Sequence, residues 1–208
     1  MKFQTTIFSL VSSTSIRENR SLDVEEPTQA RRHSQMEAWM EHYNPSFDKR
    51  DLYYGCHCFT TSDRPMSDMG KGRPVDEIDS VCLKYKQCLK CARNEFSDSC
   101  MNEFVFYGVA MNGNQPQCTD EAGTCGRKLC ECDKEFAKTV VDEMPVHNFG
   151  YHYFNKDFDG ESVCLAGDGA AIYDMQCCGT ASSFSVLYNG NAQQCCSDGQ
   201  VKDFGEIC

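Results

Sequence analysis

The stretch Gly70-Lys71-Gly72-Arg73-Pro74-Val75-Asp76-Glu77-Ile78-Asp79-Ser80-Val81-Cys82-Leu83-Lys84-Tyr85-Lys86-Gln87-Cys88 decides the fold, together with Cys125-Gly126-Arg127-Lys128-Leu129-Cys130-Glu131-Cys132-Asp133. In the first, apolar or cysteine side chains recur at Val75, Ile78, Val81/Cys82, Tyr85, Cys88/Leu89 and Ala92. This is the i, i+3, i+4 spacing of a helix, and Lys84, Lys86 and Lys90 lie largely off the stripe. The second repeats the period through Cys125, Leu129, Cys132, Phe136 and Val140. Two amphipathic helices with cysteines on their buried faces predict a disulfide-stapled helix pair.

The whole chain supports that emphasis on cysteine. Of 208 residues 16 are cysteine, a density that belongs to an oxidising compartment. Only Cys88-x-x-Cys91 has the form of a zinc knuckle, so the cysteines read as bridges and not as metal ligands. Ten lie between Cys56 and Cys132 and six between Cys164 and Cys208, and because each group is even, each is able to close by itself.

Several intervals then coincide in one order. Tyr54-Gly55-Cys56-His57-Cys58, Gly72-x-Pro74-x-Asp76, Asp79-x-x-Cys82, and Cys88 six residues on are followed by Cys118, Cys125, Cys130 and Cys132-Asp133 at steps of seven, five and two. Over roughly residues 35–140 the chain resembles the secreted phospholipase A2 family. The resemblance implies a mainly α, disulfide-rich fold of two long antiparallel helices plus a small β-wing. It also implies bridges Cys58–Cys82, Cys88–Cys132, Cys118–Cys130 and Cys100–Cys125, which leaves Cys56 and Cys91 for each other. Val81 and Thr139 stand where the family has a further cysteine pair, so that bridge is missing as a unit.

The departures from the family concern its chemistry. Where its helix carries a His general base followed by a calcium-ligating Asp, this chain has Tyr85 and Lys86 in an unchanged Cys82-to-Cys88 interval. A phenol with a pKa of about 10 is a poor base at neutral pH, and an ammonium repels the cation that would polarise an ester carbonyl. Leu89 replaces a tyrosine that orients the acidic partner, and Asp133 is retained. The glycine-rich calcium loop of the family is replaced by a longer, polar Cys58-to-Pro74 segment. Tyr85 therefore reads as a core aromatic, and the implied catalytic site is degenerate, with no calcium expected in it.

Flanking segments add less. Met1 to Ser15 has the order of a weak or truncated signal peptide, and residues 1–32 read as leader and propeptide, with Arg31-Arg32 either the cleavage site or a solvated basic pair in an uncleaved linker. A first helix is expected over His33–Tyr43, with Met36, Trp39, Met40 and Tyr43 on one face and Asn44-Pro45 ending it. Trp39 reads as a core anchor, with lipid contact as the alternative. Phe104 to Cys118 reads as a strand running into an Asn112-Gly113 turn.

From Val141 the composition changes to ten acidic residues against two lysines, and residues 141–208 read as a small acidic, cysteine-rich loop/β module. Its doublets Cys177-Cys178 and Cys195-Cys196 are similar to the di-cysteine repeats of galaxin-like matrix proteins. Asn155, Asp157 and Asp159 have the alternate spacing of half a calcium loop, but Ala166 stands where a bidentate Glu is needed, so only loosely held calcium is expected. It is the one cofactor the sequence admits.

The formal net charge is −11, and without the first 32 residues 15 basic and 27 acidic side chains remain. Such a charge repels nucleic acid and anionic lipid surfaces and favours cations, basic proteins or a mineral surface. No apolar run approaches the roughly 20 residues that span a bilayer. The leading expectation is a secreted, extracellular, non-catalytic protein with a structural or binding role, as in a mineralised matrix; otoconin-type proteins put the same fold to that use. The alternatives are a calcium-dependent esterase working through another base such as His57, and a lipid or receptor ligand that keeps the family's hydrophobic channel.

Overall fold

A computed structural model describes residues 34–58, 66–68, 70–165 and 174–208. The expected leader and propeptide, and most of the lengthened loop after Cys58, lie outside them. Three helices carry the fold: α1 (Ser34–Tyr43), α2 (Glu77–Phe96) and α3 (Cys125–Glu143). Asp76 starts α2 by accepting the Asp79 N–H, and Thr124 starts α3 by accepting the Arg127 N–H, so each helix begins at a side chain able to satisfy an orphan donor.

Helices α2 and α3 run antiparallel. Tyr85 meets Asp133, Cys88 bridges Cys132, and Glu95 approaches Lys128, so residue numbers rise along one helix as they fall along the other. The stripes meet as the spacing predicts: Ile78, Tyr85, Cys88, Leu89 and Ala92 pack with Leu129, Cys132, Phe136 and Val140 in one buried cluster. Helix α1 closes it with Met36, Trp39 and Met40, and Trp39, only 3% exposed, is a core anchor. Among the described residues there are three two-stranded antiparallel sheets: β1 (Val109–Asn112) with β2 (Gln115–Cys118), β3 (Met175–Cys178) with β4 (Val186–Asn189), and β5 (Gln193–Cys195) with β6 (Val201–Asp203). The strand expected from Phe104 begins only at Val109.

All sixteen cysteines are paired. Cys58–Cys82, Cys88–Cys132, Cys100–Cys125 and Cys118–Cys130 form as the resemblance implies. Cys56–Cys91 does not: Cys56 bonds Cys164, and Cys91 bonds Cys177. The helix explains why. Cys91 is nine residues beyond Cys82, two and a half turns and about 13 Å along the axis, so it faces away from the side where Cys82 holds Cys58. Even counts permitted each group to close on itself, yet two bridges cross between them. Cys178–Cys195 and Cys196–Cys208 complete the C-terminal part, so each cysteine doublet links two different segments.

The C-terminal residues are bound to the helices by more than sulfur. Tyr153 N–H donates to Tyr53 O at 2.8 Å and Gly55 N–H to Tyr151 O at 2.9 Å, which makes a short antiparallel bridge. Farther on, Lys128 of α3 is buried and its Nζ donates to Thr180 O and Ser185 Oγ, both at 2.9 Å. Replacing Lys128 with Met should leave Ser185 Oγ without that donor and Thr180 O with only the long Ser183 N–H contact at 3.4 Å, at a cost of about 2 kcal/mol. Urea melts should show the loss, and amide exchange should rise across residues 180–188; unchanged exchange there would mean that Lys128 does not anchor the segment.

Candidate functional site

Helix α2 turns Tyr85 and Leu89 onto the face that meets the core and Lys86 onto another, toward Cys58. Tyr85 is 1% exposed and lies flat on Phe136, with ring centroids 4.1 Å apart. Its hydroxyl donates to Asp133 Oδ1 at 2.7 Å and accepts from Asn102 Nδ2 at 3.1 Å. The other carboxylate oxygen, Oδ2, accepts the hydroxyl of Tyr107 at 2.6 Å. Tyr107 is fixed in turn by Gln35 of α1, which donates Nε2 to its carbonyl at 2.7 Å and accepts its amide at 3.2 Å. Leu89 is buried in the core and supplies no donor.

Asp133 thus holds two tyrosine hydroxyls, and Tyr107 is a residue that the sequence did not single out. Tyr107 was invisible in the sequence because its segment is irregular, with Phe104 and Phe106 just before it both exposed, and no periodicity marks it. Burial pushes the Asp133 carboxyl up to about 6 against the pull of its two tyrosine donors, and the Glu103 charge adds to the rise. Burial first, then the Asp133 charge, holds the Tyr85 hydroxyl well above its ordinary value of 10.0, and the same causes raise Tyr107. Both phenols are fixed as proton donors.

Lys86 is 3% exposed, and its Nζ donates to Cys58 O at 3.2 Å. Desolvation lowers it to about 8, with the Asp79 carboxylate opposing, so it stays mainly protonated at neutral pH. Asp79 is fully buried and gathers the Cys56 and Val75 N–H groups on Oδ2 at 2.8 and 3.0 Å and the His57 N–H on Oδ1 at 2.6 Å. Gly55, at φ +59°, lets that turn pass: a Cβ there would stand 2.5 Å from Asp79 Cγ.

His57, the alternative base, is buried between Gly70 and Gly72, and its Nε2 lies 3.1 Å from Gly72 O. Burial lowers its pKa, partly offset by the Asp79 charge. The structure does not bring it to Asp133, whose oxygens are both occupied by tyrosines. Asn155, Asp157 and Asp159 lie on an exposed turn. Asn155 Oδ1 accepts the Asp157 N–H at 3.1 Å, and Asp159 Oδ1 accepts the Glu161 N–H at 3.1 Å, so two of the three side chains cap their own backbone. Among the described residues no group of three or more His, Cys, Asp or Glu is placed to hold a metal ion.

A stapled antiparallel pair with a buried carboxylate held by hydroxyls on its neighbours defines a disulfide-rich helical class. The phospholipase A2 family model matches residues 34–149, more than half of the chain, and the chain belongs to that family. Among curated relatives, "Phospholipase A2, membrane associated" of Mus musculus is 26% identical over 106 residues, 51% of this chain and 65% of that protein. "Group IID secretory phospholipase A2" of Mus musculus is 31% identical over 101 residues, 49% of this chain and 62% of that protein. The Homo sapiens "Phospholipase A2, membrane associated" is 28% identical over 103 residues, 50% and 63% of the two chains. The chain thus spans a little under two thirds of the length of these relatives.

Proposed function

We propose that this protein is a secreted, non-catalytic member of the phospholipase A2 family that acts by binding. The observation that carries the reading is the buried Tyr85 hydroxyl, committed as a donor to Asp133 and held well above its ordinary pKa where the resemblance puts the base, so that no proton acceptor faces a hydrolytic water there. Lys86 supports it from the other side. Calcium needs several oxygen ligands, and among the described residues the Lys86 ammonium occupies the Cys58 carbonyl and brings a positive charge to the position, which does not suit the ion.

The acidic surface, at net −11, favours cationic partners: basic proteins, a mineral surface, or calcium held loosely at the Asn155–Asp159 turn. Eight bridges and a relative described as secretory support release into an oxidising compartment, and no helix among the described residues is long and apolar enough to cross a membrane.

The test is fatty-acid release from phosphatidylcholine micelles with calcium and with chelator. The wild type should show no chelator-sensitive hydrolysis, and its melting temperature should not respond to chelator. Chelator-sensitive turnover by the wild type would overturn the reading. The Tyr85→His/Lys86→Asp variant, assayed beside it, asks whether those two positions are sufficient to restore activity.

A further inference from the structure

The chain contains two Asn-Gly dipeptides, Asn112-Gly113 and Asn189-Gly190, and the fold treats them oppositely. Asn112 ends β1, an exposed four-residue strand, in register with Gln115, and Gly113 opens the two-residue turn at φ +61°. Nothing lies within 4 Å of a Cβ built on Gly113. Among the described residues neither the Asn112 carboxamide nor the Gly113 N–H has a hydrogen-bond partner. At the second site, by contrast, Asn189 Oδ1 accepts the Asn191 N–H at 3.1 Å, Gly190 N–H donates to Asp174 O at 2.7 Å, and the Gln176 side chain crowds Gly190.

From this contrast we infer that Asn112 is a site of spontaneous, structure-selected deamidation and that Asn189 is protected from it. The Gly113 amide nitrogen gives up its proton to solvent base and attacks Asn112 Cγ. A C–N bond forms, the Cγ–NH2 bond breaks, and ammonia leaves, giving a five-membered succinimide. Water then opens either ring carbonyl, producing aspartate or isoaspartate at position 112. No oxidant, metal or enzyme enters the balance. Glycine makes the attack accessible because it has no side chain beside its nitrogen. Reaction at Asn189 requires two hydrogen bonds to break first, which should slow it roughly 30-fold, about 2 kcal/mol.

The product adds one negative charge at the hairpin tip and, as isoaspartate, inserts a methylene into the backbone beside the β1–β2 turn. That closing pair then loses its register while the bridged helices are untouched, so the modification marks the age of the molecule without unfolding it.

The experiment is incubation of the bridged protein in mildly alkaline buffer, followed by peptide mass analysis and labelling with an isoaspartyl methyltransferase. The peptide containing Asn112 should gain one mass unit and accept label while the Asn189 peptide stays unchanged. In a reduced, denatured control the two should react at similar rates. Asn112→Gln, whose longer side chain would need a less favourable six-membered ring, should lose the signal and keep the fold. Equal or faster reaction at Asn189 in the bridged protein, or an Asn112 that reacts no faster than Asn189, overturns the inference.

Discussion

Replacement of Cys91 and Cys177 together by alanine is expected to cost the folded state about 4–5 kcal/mol. The bridge closes a separation of 86 residues, and the chain-entropy estimate for a loop of that size lies close to the value for 100 residues. A loss of that size is a large fraction of the roughly 5–15 kcal/mol that holds a folded domain together. It is also a test of architecture, because Cys91 sits on the face of α2 that receives β3 and β4, where buried Ser185 donates its N–H toward Cys88 Sγ at 3.3 Å. The double variant should therefore show a lower denaturant midpoint and faster amide exchange concentrated in residues 175–189, with the α2–α3 core still protected by Cys88–Cys132. A uniform loss of protection across all helices would mean that the C-terminal residues are an integral part of the core and not a bridged addition.

Stability should also depend on the protonation of Asp133. Its carboxyl titrates at about 6 in the folded protein against an ordinary value of 3.8, so the native state binds the proton more tightly than the unfolded chain. The sign follows from linkage: the contribution is fully present below pH ~4 and is lost as pH rises through about 6. Its full size is about 3 kcal/mol. Asp133→Asn removes this dependence. The difference in unfolding free energy between wild type and variant, measured by urea titration at steps between pH 4 and 7, should change by about that amount in the stated direction. A flat difference curve would mean that the two tyrosine donors compensate burial completely.

Part of this was legible in the residues themselves. The helix stripes at Ile78, Tyr85, Leu89, Leu129 and Phe136 point inward because side chains repeating at 3.6 residues share one face, and four of the five expected bridges in the first cysteine group followed once the family's intervals were matched. That Tyr85 and Lys86 depart from the family pattern is what the resemblance implies, since the spacing from Cys82 to Cys88 is unchanged; the structure adds that both side chains are buried. The fifth bridge was not legible, since an even count permits closure without requiring it. Tyr107 was not legible either, because an irregular segment carries no period to show which side chains turn inward.

What the sequence determined alone is local and periodic: where α2 and α3 run, and which apolar faces they bury. Tertiary structure decided what pairs with what. The direction in which Cys91 leaves α2 selected Cys177, and the approach of Tyr107 to the second oxygen of Asp133 turned a retained carboxylate into a satisfied hydrogen-bond acceptor. Both depend on segments distant in sequence meeting at fixed angles, which a one-dimensional pattern does not encode.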